Sequence, residues 1–501
     1  MNANALIKIL IISVGLVVAV MLLQGALDAR TSSISYLVMW GGVALACYSF
    51  IKPRAGLFIV TGEAFLTDYI KKVAVFYGNV SLQTIIEVMG VVMLAMVATL
   101  AGRLTQLAFR SGKKLSLIEV LFYAVAFIVA FVIMLKGNGG FANRGQQAFN
   151  VGLYIAVGGL IVGLFRNFEE LWSYYKFALL LGLLWCVMAI KQVHFGYSWL
   201  EEYYAFTGLS RVATLQFLQT IYEFPRPSGL GSGSPNLGVI TVFVPISLWA
   251  TFNRSKWYAV PLVIVLYAIA ISQIKSMVAT TALMLLLYPL LRFRHFLKLG
   301  YVIGVVTLGT LIIMADTILY NIAEIDRRFR DVFGLSNEYS IQTFSDRLQG
   351  WQHLTDLGSF PLLPGEPVST HETHDQVTAI LNAVGILPSI LVFGGIIYAL
   401  YRFHKSARSA LPGPEQRLSV YMACYVALST VTGMMIGGFL QGQPQGLVVW
   451  FSAGGVILLG QLATEQRNEE RRRANAGKIK KTPTERSQTA ELPLGSLARQ
   501  G

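Results

Sequence analysis

Runs of about 20 apolar residues recur along the chain, and no other feature limits its folds more. A helix that crosses a bilayer needs about 20 mostly apolar residues, within a range of roughly 17–25. Such runs stand near 5–26, 34–51, 83–102, 118–136, 148–165, 174–190, 298–315, 379–401, 418–438 and 445–463. The stretch 236–291 holds three more, near 236–252, 257–272 and 276–291, divided by short polar breaks. Segment 55–70 is apolar but carries Glu63 and Asp68, which leaves open a short span, a re-entrant piece or an interfacial helix. The expectation is an all-α polytopic integral membrane protein with roughly 12–14 transmembrane helices. Composition agrees. Hydrophobic residues make up 54% of the chain and charged ones 13%, about half of the ~25% usual in soluble domains. A soluble globular enzyme, a disordered chain and a fibrous one are thereby excluded.

The first run has some signal-peptide character: Lys8, an apolar core, then small residues. Its apolar core is long and many spans follow, so it is expected to remain as the first helix. Cys47, Cys186 and Cys424 each lie inside an apolar run, which makes them small buried hydrophobes and not a disulfide framework or a metal set.

The formal net charge is +14. In a membrane protein such charge collects in cytoplasmic loops. Arg103, Arg110, Lys113 and Lys114 share one short loop, and Arg166 and Lys176 share a second. Arg254 and Lys256 mark a third, Arg292, Arg294 and Lys298 a fourth, and Arg402, Lys405, Arg408 and Arg417 a fifth. All fall on one side if the helices between them alternate, which makes that side cytoplasmic and leaves no call on nucleic acid. Residues 464–501 are polar and charged, and read as a flexible basic cytoplasmic tail behind a membrane domain of 1–463. Before residue 83 the pattern is ambiguous, because segment 55–70 decides the side of the N-terminus. No internal repeat is visible, which counts mildly against many secondary transporters.

Two long loops face the other way, about 191–235 and 317–378. Loops of this length are usually functional or disordered, and aromatic residues such as Tyr197, Trp199, Trp351 and Phe344 argue against disorder. Cations are disfavoured there, so Arg211, Arg226, Arg327, Arg328, Arg330, Arg347 and Lys275 need reasons. Arg327, Arg328 and Arg330 have acidic neighbours in the run Glu324–Asp331. Arg226 precedes the turn Pro-Ser-Gly-Leu-Gly-Ser-Gly-Ser-Pro-Asn236, which opens directly into a spanning run. Its glycines permit close backbone approach, Ser234 or Asn236 can cap the helix, and a helix N-terminus is an anion site. A diphosphate would fit there, and so would a plain linker with a capped helix. His371 and His374 stand in Thr370-His-Glu-Thr-His-Asp375. The spacing is not that of a zinc peptidase, and a histidine general base at the membrane mouth is the alternative to an ordinary interfacial side chain. Lys275, between two spans, either marks a site or snorkels to the surface.

Several stretches resemble the O-antigen ligase and polysaccharide polymerase superfamily of bacterial envelope enzymes. They are Lys52-Pro53-Arg54-Ala-Gly56-Leu57, Arg226 with Ser234-Pro-Asn236-Leu-Gly238, the break Ser272-Gln-Ile-Lys275-Ser276, Arg347-Leu-Gln-Gly-Trp351, Pro361-Leu with Pro364-Gly365, and His374-Asp375-Gln376 with Gly385-Ile-Leu387. The likeness spans roughly 50–400. It implies a GT-C-like membrane glycosyltransferase of the bacterial inner membrane, with its site on the periplasmic face and its C-terminus in the cytoplasm. The donor implied is a glycan on undecaprenyl diphosphate, the acceptor a glycan or lipid A-core hydroxyl, and no metal or other cofactor is required. Carried over, His374 activates the acceptor and Arg347 acts with it. Arg226, Arg211 and Lys275 hold the diphosphate, with Asn236 and Asp375 beside them. The sequence departs from the family's His-Asn, having His374-Asp375, and Lys275 stands for the usual arginine. A transporter or flippase of lipid-linked sugars and a protein O-glycosylating ligase are the alternative readings.

Overall fold

The computed structural model describes residues 33–77, 82–109, 116–136, 140–210, 213–214, 217, 227–232, 234–272, 274–292, 360–363, 381, 385–409, 414–436 and 444–481. Within them the protein is all-helical. Five helices are long and apolar enough to cross a membrane, or six if one bent pair counts as a single span. The expected spans near 5–26 and 298–315 lie outside the described residues.

The chain begins with α1 (Ser33–Ile51), α2 (Pro53–Tyr77) and α3 (Leu82–Phe109). α1 and α3 lie side by side, and α2 runs back against both. Their contact depends on missing side chains: a methyl group at Gly102 would strike the Phe50 backbone, and one at Gly56 would strike Ser49 and Thr99. Small residues allow this approach where lipid supplies no hydrophobic drive between helices. The doubtful segment 55–70 is therefore the body of α2, whose 25 residues extend about 37 Å at 1.5 Å per residue. Pro53 starts it, as proline does where the first N–H is unpaired anyway.

α4 (Leu117–Lys136) leads to α5 (Phe141–Gln147), a π-helical turn (Ala148–Leu153) and α6 (Ile155–Leu164). The Tyr154 N–H reaches back to the Phe149 carbonyl at 3.3 Å, and the axis bends by 42°, as a wide turn inside a helix makes it do. α7 (Phe168–Phe195) is 28 residues long and α8 (Trp199–Phe206) follows after a short bend. A 3-10 segment (Ser234–Val242) then enters α9 (Phe243–Asn253). α10 (Ala259–Ile271), α11 (Lys275–Arg292), α12 (Ile386–Ser409), α13 (Pro414–Ile436) and α14 (Gln445–Lys481) complete the described chain. α14 continues as helix through the polar stretch after 463 as far as Lys481. One continuous apolar core joins α2 to α14, with Trp185, Trp249 and Trp450 among its largest fully buried side chains.

The basic residues of the described loops gather at one end of this bundle. Arg54 pairs with Glu170 at 2.7 Å, whose other oxygen accepts from the Arg166 N–H at 2.8 Å. Arg254 pairs with Glu169 and lies over the rings of Phe168, Trp172 and Trp249. The indole of Trp249 donates to the Pro414 carbonyl, which brings the start of α13 to the same end. Beside them Arg103 holds Glu119 through Nε at 2.8 Å and Nη2 at 3.1 Å, and Tyr123 donates to the same carboxylate. Both partners of this forked pair are buried. Removing one would strand the other charge, at a cost of about 3–5 kcal/mol.

This geometry separates Lys256, beside Arg254, from Phe195 at the far end of α7, about 42 Å away along a 28-residue helix. With the three native cysteines replaced, Lys256→Cys and Phe195→Cys are expected to show opposite labelling by a membrane-impermeant maleimide in intact cells. Equal labelling of the two would refute the assignment of both ends to opposite faces of a membrane.

Candidate functional site

α2 is apolar for most of its length yet carries four ionisable residues, Glu63, Asp68, Lys71 and Lys72. An unpaired charge in such a helix is costly, so their partners reveal how the far end of the bundle is built. Asp68 accepts from Lys71 at 2.9 Å through Oδ1. Its Oδ2 accepts from the Ser232 backbone N–H at 3.0 Å and from the Asn236 side-chain amide at 3.2 Å. Lys72 donates to the Gly231 carbonyl at 2.9 Å and faces Glu201 of α8 at 3.8 Å. The side chains of Lys72 and Glu201 are only 4% and 3% exposed.

Glu201 closes the N-terminus of α8. Its Oε2 accepts from the Ser198 N–H and hydroxyl, both at 2.8 Å, a reciprocal cap that fixes the bend after α7. Lys191 lies 3.7 Å from the same oxygen. Its Oε1 accepts from the Gln192 amide. Gln192 is the second organiser: its carbonyl oxygen accepts from the N–H groups of Ser228 and Gly229, both at 2.9 Å, and its amide donates to the Gly229 carbonyl at 2.8 Å. One buried side chain of α7 thus pairs with the turn as a neighbouring strand would, which satisfies buried backbone groups that have no ladder.

The glycine-rich turn therefore folds down on the bundle. Gly229 has φ of +63°, a conformation that glycine adopts without strain. A methyl group at Gly231 would meet Trp185 and Asn236. Trp185 is in turn fixed by its indole N–H donating to the Phe65 carbonyl at 2.9 Å. At Gly229 and Gly231 the close approach read from these glycines is made to Trp185. The anion that the turn's Ser232 N–H receives is the protein's own Asp68 carboxylate.

A small cleft lies between the turn and α8, with about 20 Å³ open to the centres of water-sized spheres, room for about one water molecule. Lys72, Ser228 and Ser232 line it together with Tyr197, Ala213 and Phe217 and with Glu201, Tyr204 and Ala205, the last three sharing one face of α8. The Tyr197 and Phe217 rings stand 6.5 Å apart at 57°, and Phe217 packs edge-on against Phe206 at 4.8 Å. Burial and the nearby Asp68 carboxylate push the Tyr204 phenol up to about 12, so it remains a neutral donor at physiological pH.

Of the residues singled out from the sequence, Asn236 belongs to this cluster, through Asp68. It lies within a 3-10 segment, where the sequence suggested the cap of an α-helix. Lys275 begins α11, and its side chain lies outside the described part. Arg211, Arg226, Arg347, His374 and Asp375 lie outside the described residues. Two stretches of the family resemblance do meet. The Pro361 and Leu362 carbonyls accept from the N–H groups of Ile386 and Leu387 at the start of α12, at 2.9 and 3.2 Å, and Gly385 has φ of +80° there. Lys71, Lys72, Gln192 and Glu201 were missed from the sequence. The signal available was the i, i+3 pair Asp68–Lys71 inside an apolar helix. Among the described residues no group of three or more His, Cys, Asp or Glu is placed to hold a metal ion.

Glu63 stands apart from this network. Both of its carboxylate oxygens are buried without a hydrogen-bond partner.

Compared with known proteins, the chain matches no family model, no curated protein sequence and no solved structure.

Gln192→Leu would leave two N–H groups and one carbonyl of the turn unpaired, each worth about 1–3 kcal/mol when buried. It is expected to lower the unfolding temperature in detergent and to open residues 227–232 to proteolysis; unchanged resistance would refute the role given to Gln192. Glu63→Leu, which removes an unpartnered buried carboxylate, is expected to raise that temperature, and a fall would show that the carboxylate has a partner.

Proposed function

We propose that the protein is a membrane glycosyltransferase of the O-antigen ligase and polymerase type. It transfers a glycan from undecaprenyl diphosphate to an acceptor hydroxyl on the periplasmic face of a bacterial inner membrane during surface polysaccharide synthesis. The observation that carries this reading is a small polar cleft at the end of the bundle opposite the basic loops, where residues 227–232 and α8 pack against α2 and α7. Buried Lys72, Gln192 and Glu201 hold this opening, and Tyr197, Tyr204 and Phe217 add aromatic rings to its lining. Transporters, by contrast, tend to place binding residues near the bilayer midplane.

In the transfer, the bond between the anomeric carbon and the diphosphate oxygen breaks, and its electron pair leaves with the diphosphate. The acceptor oxygen forms the new bond, and its proton passes to a base. His374 is the residue proposed as base. Arg347, Arg226 and Arg211 suit the departing diphosphate, because a guanidinium stays charged and forks onto phosphate oxygens. Charge that binds the leaving group more tightly as it departs accelerates the step. Lys275 can add a point charge without that planar fork.

One observation favours a second reading. Glu63 is a buried, unpartnered carboxylate within α2, and such residues mark proton or substrate pathways in transporters. A flippase of lipid-linked sugars would use it.

With purified protein and undecaprenyl-diphosphate-linked oligosaccharide, His374→Ala and Arg347→Ala are each expected to reduce transfer by a factor of about 100 or more, with membrane insertion unchanged. Transfer at the unsubstituted rate by either would remove its role. Movement of the sugar lipid across liposomes with no new glycosidic bond, together with its loss in Glu63→Gln, would replace the enzyme by the transporter.

A further inference from the structure

We infer that Arg144 and Lys136 hold the phosphate head of an anionic phospholipid, whose acyl chains lie along the exposed apolar face of α4. This does not rest on the glycosyltransferase reading.

The starting point is a charge imbalance. No acidic residue stands between Glu119 and Glu169. Glu119, near the start of α4, is paired with Arg103 at the basic end of the bundle. Lys136 closes the same helix, about 26 Å further on at 1.5 Å per residue. The chain then turns through a glycine-rich connection into α5, which carries Arg144. Both cations therefore stand at the end opposite the basic loops. Arg54, Arg103 and Arg254 each meet a carboxylate. Among the described residues, neither Lys136 nor Arg144 does.

Arg144 is placed but not saturated. The π-helical turn that follows it packs tightly on α4, since a methyl group at Gly152 would strike the Ala130 backbone. That contact holds α5 beside the C-terminus of α4, where Nη1 of Arg144 donates to the Met134 and Leu135 carbonyls at 3.3 and 3.4 Å. Unpaired carbonyls at a helix C-terminus attract a cation, but bonds this long are weak. The other edge of the guanidinium is vacant. Nε is enclosed without a hydrogen-bond partner, and Nη2 beside it has none either. Arg103 shows what that edge takes: its Nε and Nη2 fork onto the two carboxylate oxygens of Glu119. A phosphate offers a similar pair of oxygens. One reaches Nη2, and the second takes Nε as the side chain swings off its long bonds to α4.

The surroundings select a lipid over a soluble anion. Phe127, Ile128, Phe131 and Leu135 of α4 are large apolar residues left exposed, spaced along one helix face. The stripe ends where the cations stand, because the carbonyl of Leu135 is one of the two that Arg144 holds. An apolar stripe that ends in uncompensated positive charge complements a phospholipid with an anionic head: chains along the helix, phosphate at its end. Basic sites between helix ends hold anionic head groups in this way. A zwitterionic lipid brings its own ammonium, which the two cations would repel.

The test is photolabelling of the full chain in neutral detergent, with phosphatidylglycerol carrying a diazirine in one acyl chain. The readout is mass spectrometry of the peptide that holds Phe131 and Leu135. Label from this probe is expected to exceed that from the phosphatidylcholine analogue about fivefold. Arg144→Gln is expected to cut the label about tenfold, and Lys136→Gln about fivefold. Lys256→Gln, at the basic end, is expected to leave it unchanged. A thermal melt confirms that each variant is folded. Arg144→Lys keeps the charge without the fork and is expected to retain an intermediate label, which keeps the test open if Arg144→Gln does not fold. Unlabelled phosphatidylglycerol is expected to compete, and sodium phosphate at constant ionic strength is not. Equal labelling by the phosphatidylcholine probe, or full labelling of Arg144→Gln, would overturn the inference. So would displacement by sodium phosphate, which would make the ligand a soluble anion. Displacement by farnesyl diphosphate at lower concentration than phosphatidylglycerol would also overturn it, and would put a prenyl diphosphate in the phospholipid's place.

Discussion

An unpaired charge is costly inside an apolar helix bundle, and the end of this protein opposite the basic loops is arranged around that cost. α2 carries Asp68, Lys71 and Lys72 within five residues. None would be tolerated there without partners. The partners come from three separate elements: the glycine turn supplies an N–H and a carbonyl, α7 supplies Gln192, and α8 supplies Glu201. The turn's path, the bend between α7 and α8 and the depth of the cleft all follow from satisfying those groups. The aromatic wall is then placed by α8, since the Thr214 hydroxyl donates to the Ala205 carbonyl and holds Phe217 beside Phe206.

The opposite end solves a similar problem with different means. There the charges are forked or paired side by side, Arg103 with Glu119, Arg54 with Glu170, Arg254 with Glu169. Arg254 instead rests on the faces of three aromatic rings, a placement that favours a cation at a wet margin. Two ways of housing charge thus distinguish the two ends of the bundle.

The helical class and the five or six helices long and apolar enough to cross a membrane, of the roughly 12–14 expected, were legible in the sequence because bilayer thickness imposes a run length that needs no tertiary information. Segment 55–70 was not legible, since Glu63 and Asp68 lower its apolarity and two of the partners of Asp68 lie more than 100 residues away, at Ser232 and Asn236. Asn236 was found from its place after a glycine turn, though its partner is Asp68 and its backbone is 3-10. Lys72 and Gln192 carried no local signal at all: a lysine near a helix end reads as snorkelling, and a glutamine in an apolar run reads as noise. His374 and Arg347 stand out in the sequence by likeness to family motifs, and both lie outside the described residues.

Gln192 shows where the instructions for the turn are stored. A loop whose backbone is paired by one helix side chain takes its shape from that helix, so most of its own residues are released from encoding it. The glycines are the exception, because Trp185 leaves room for nothing larger at Gly231. Substitution could therefore rewrite much of the loop without moving it, while a single change in α7 would move all of it. Two proteins built this way could share the cleft and differ almost everywhere in the segment that forms its roof. A search guided by the loop's letters would pass over such a kinship, and one guided by a glutamine two turns past a buried tryptophan would find it.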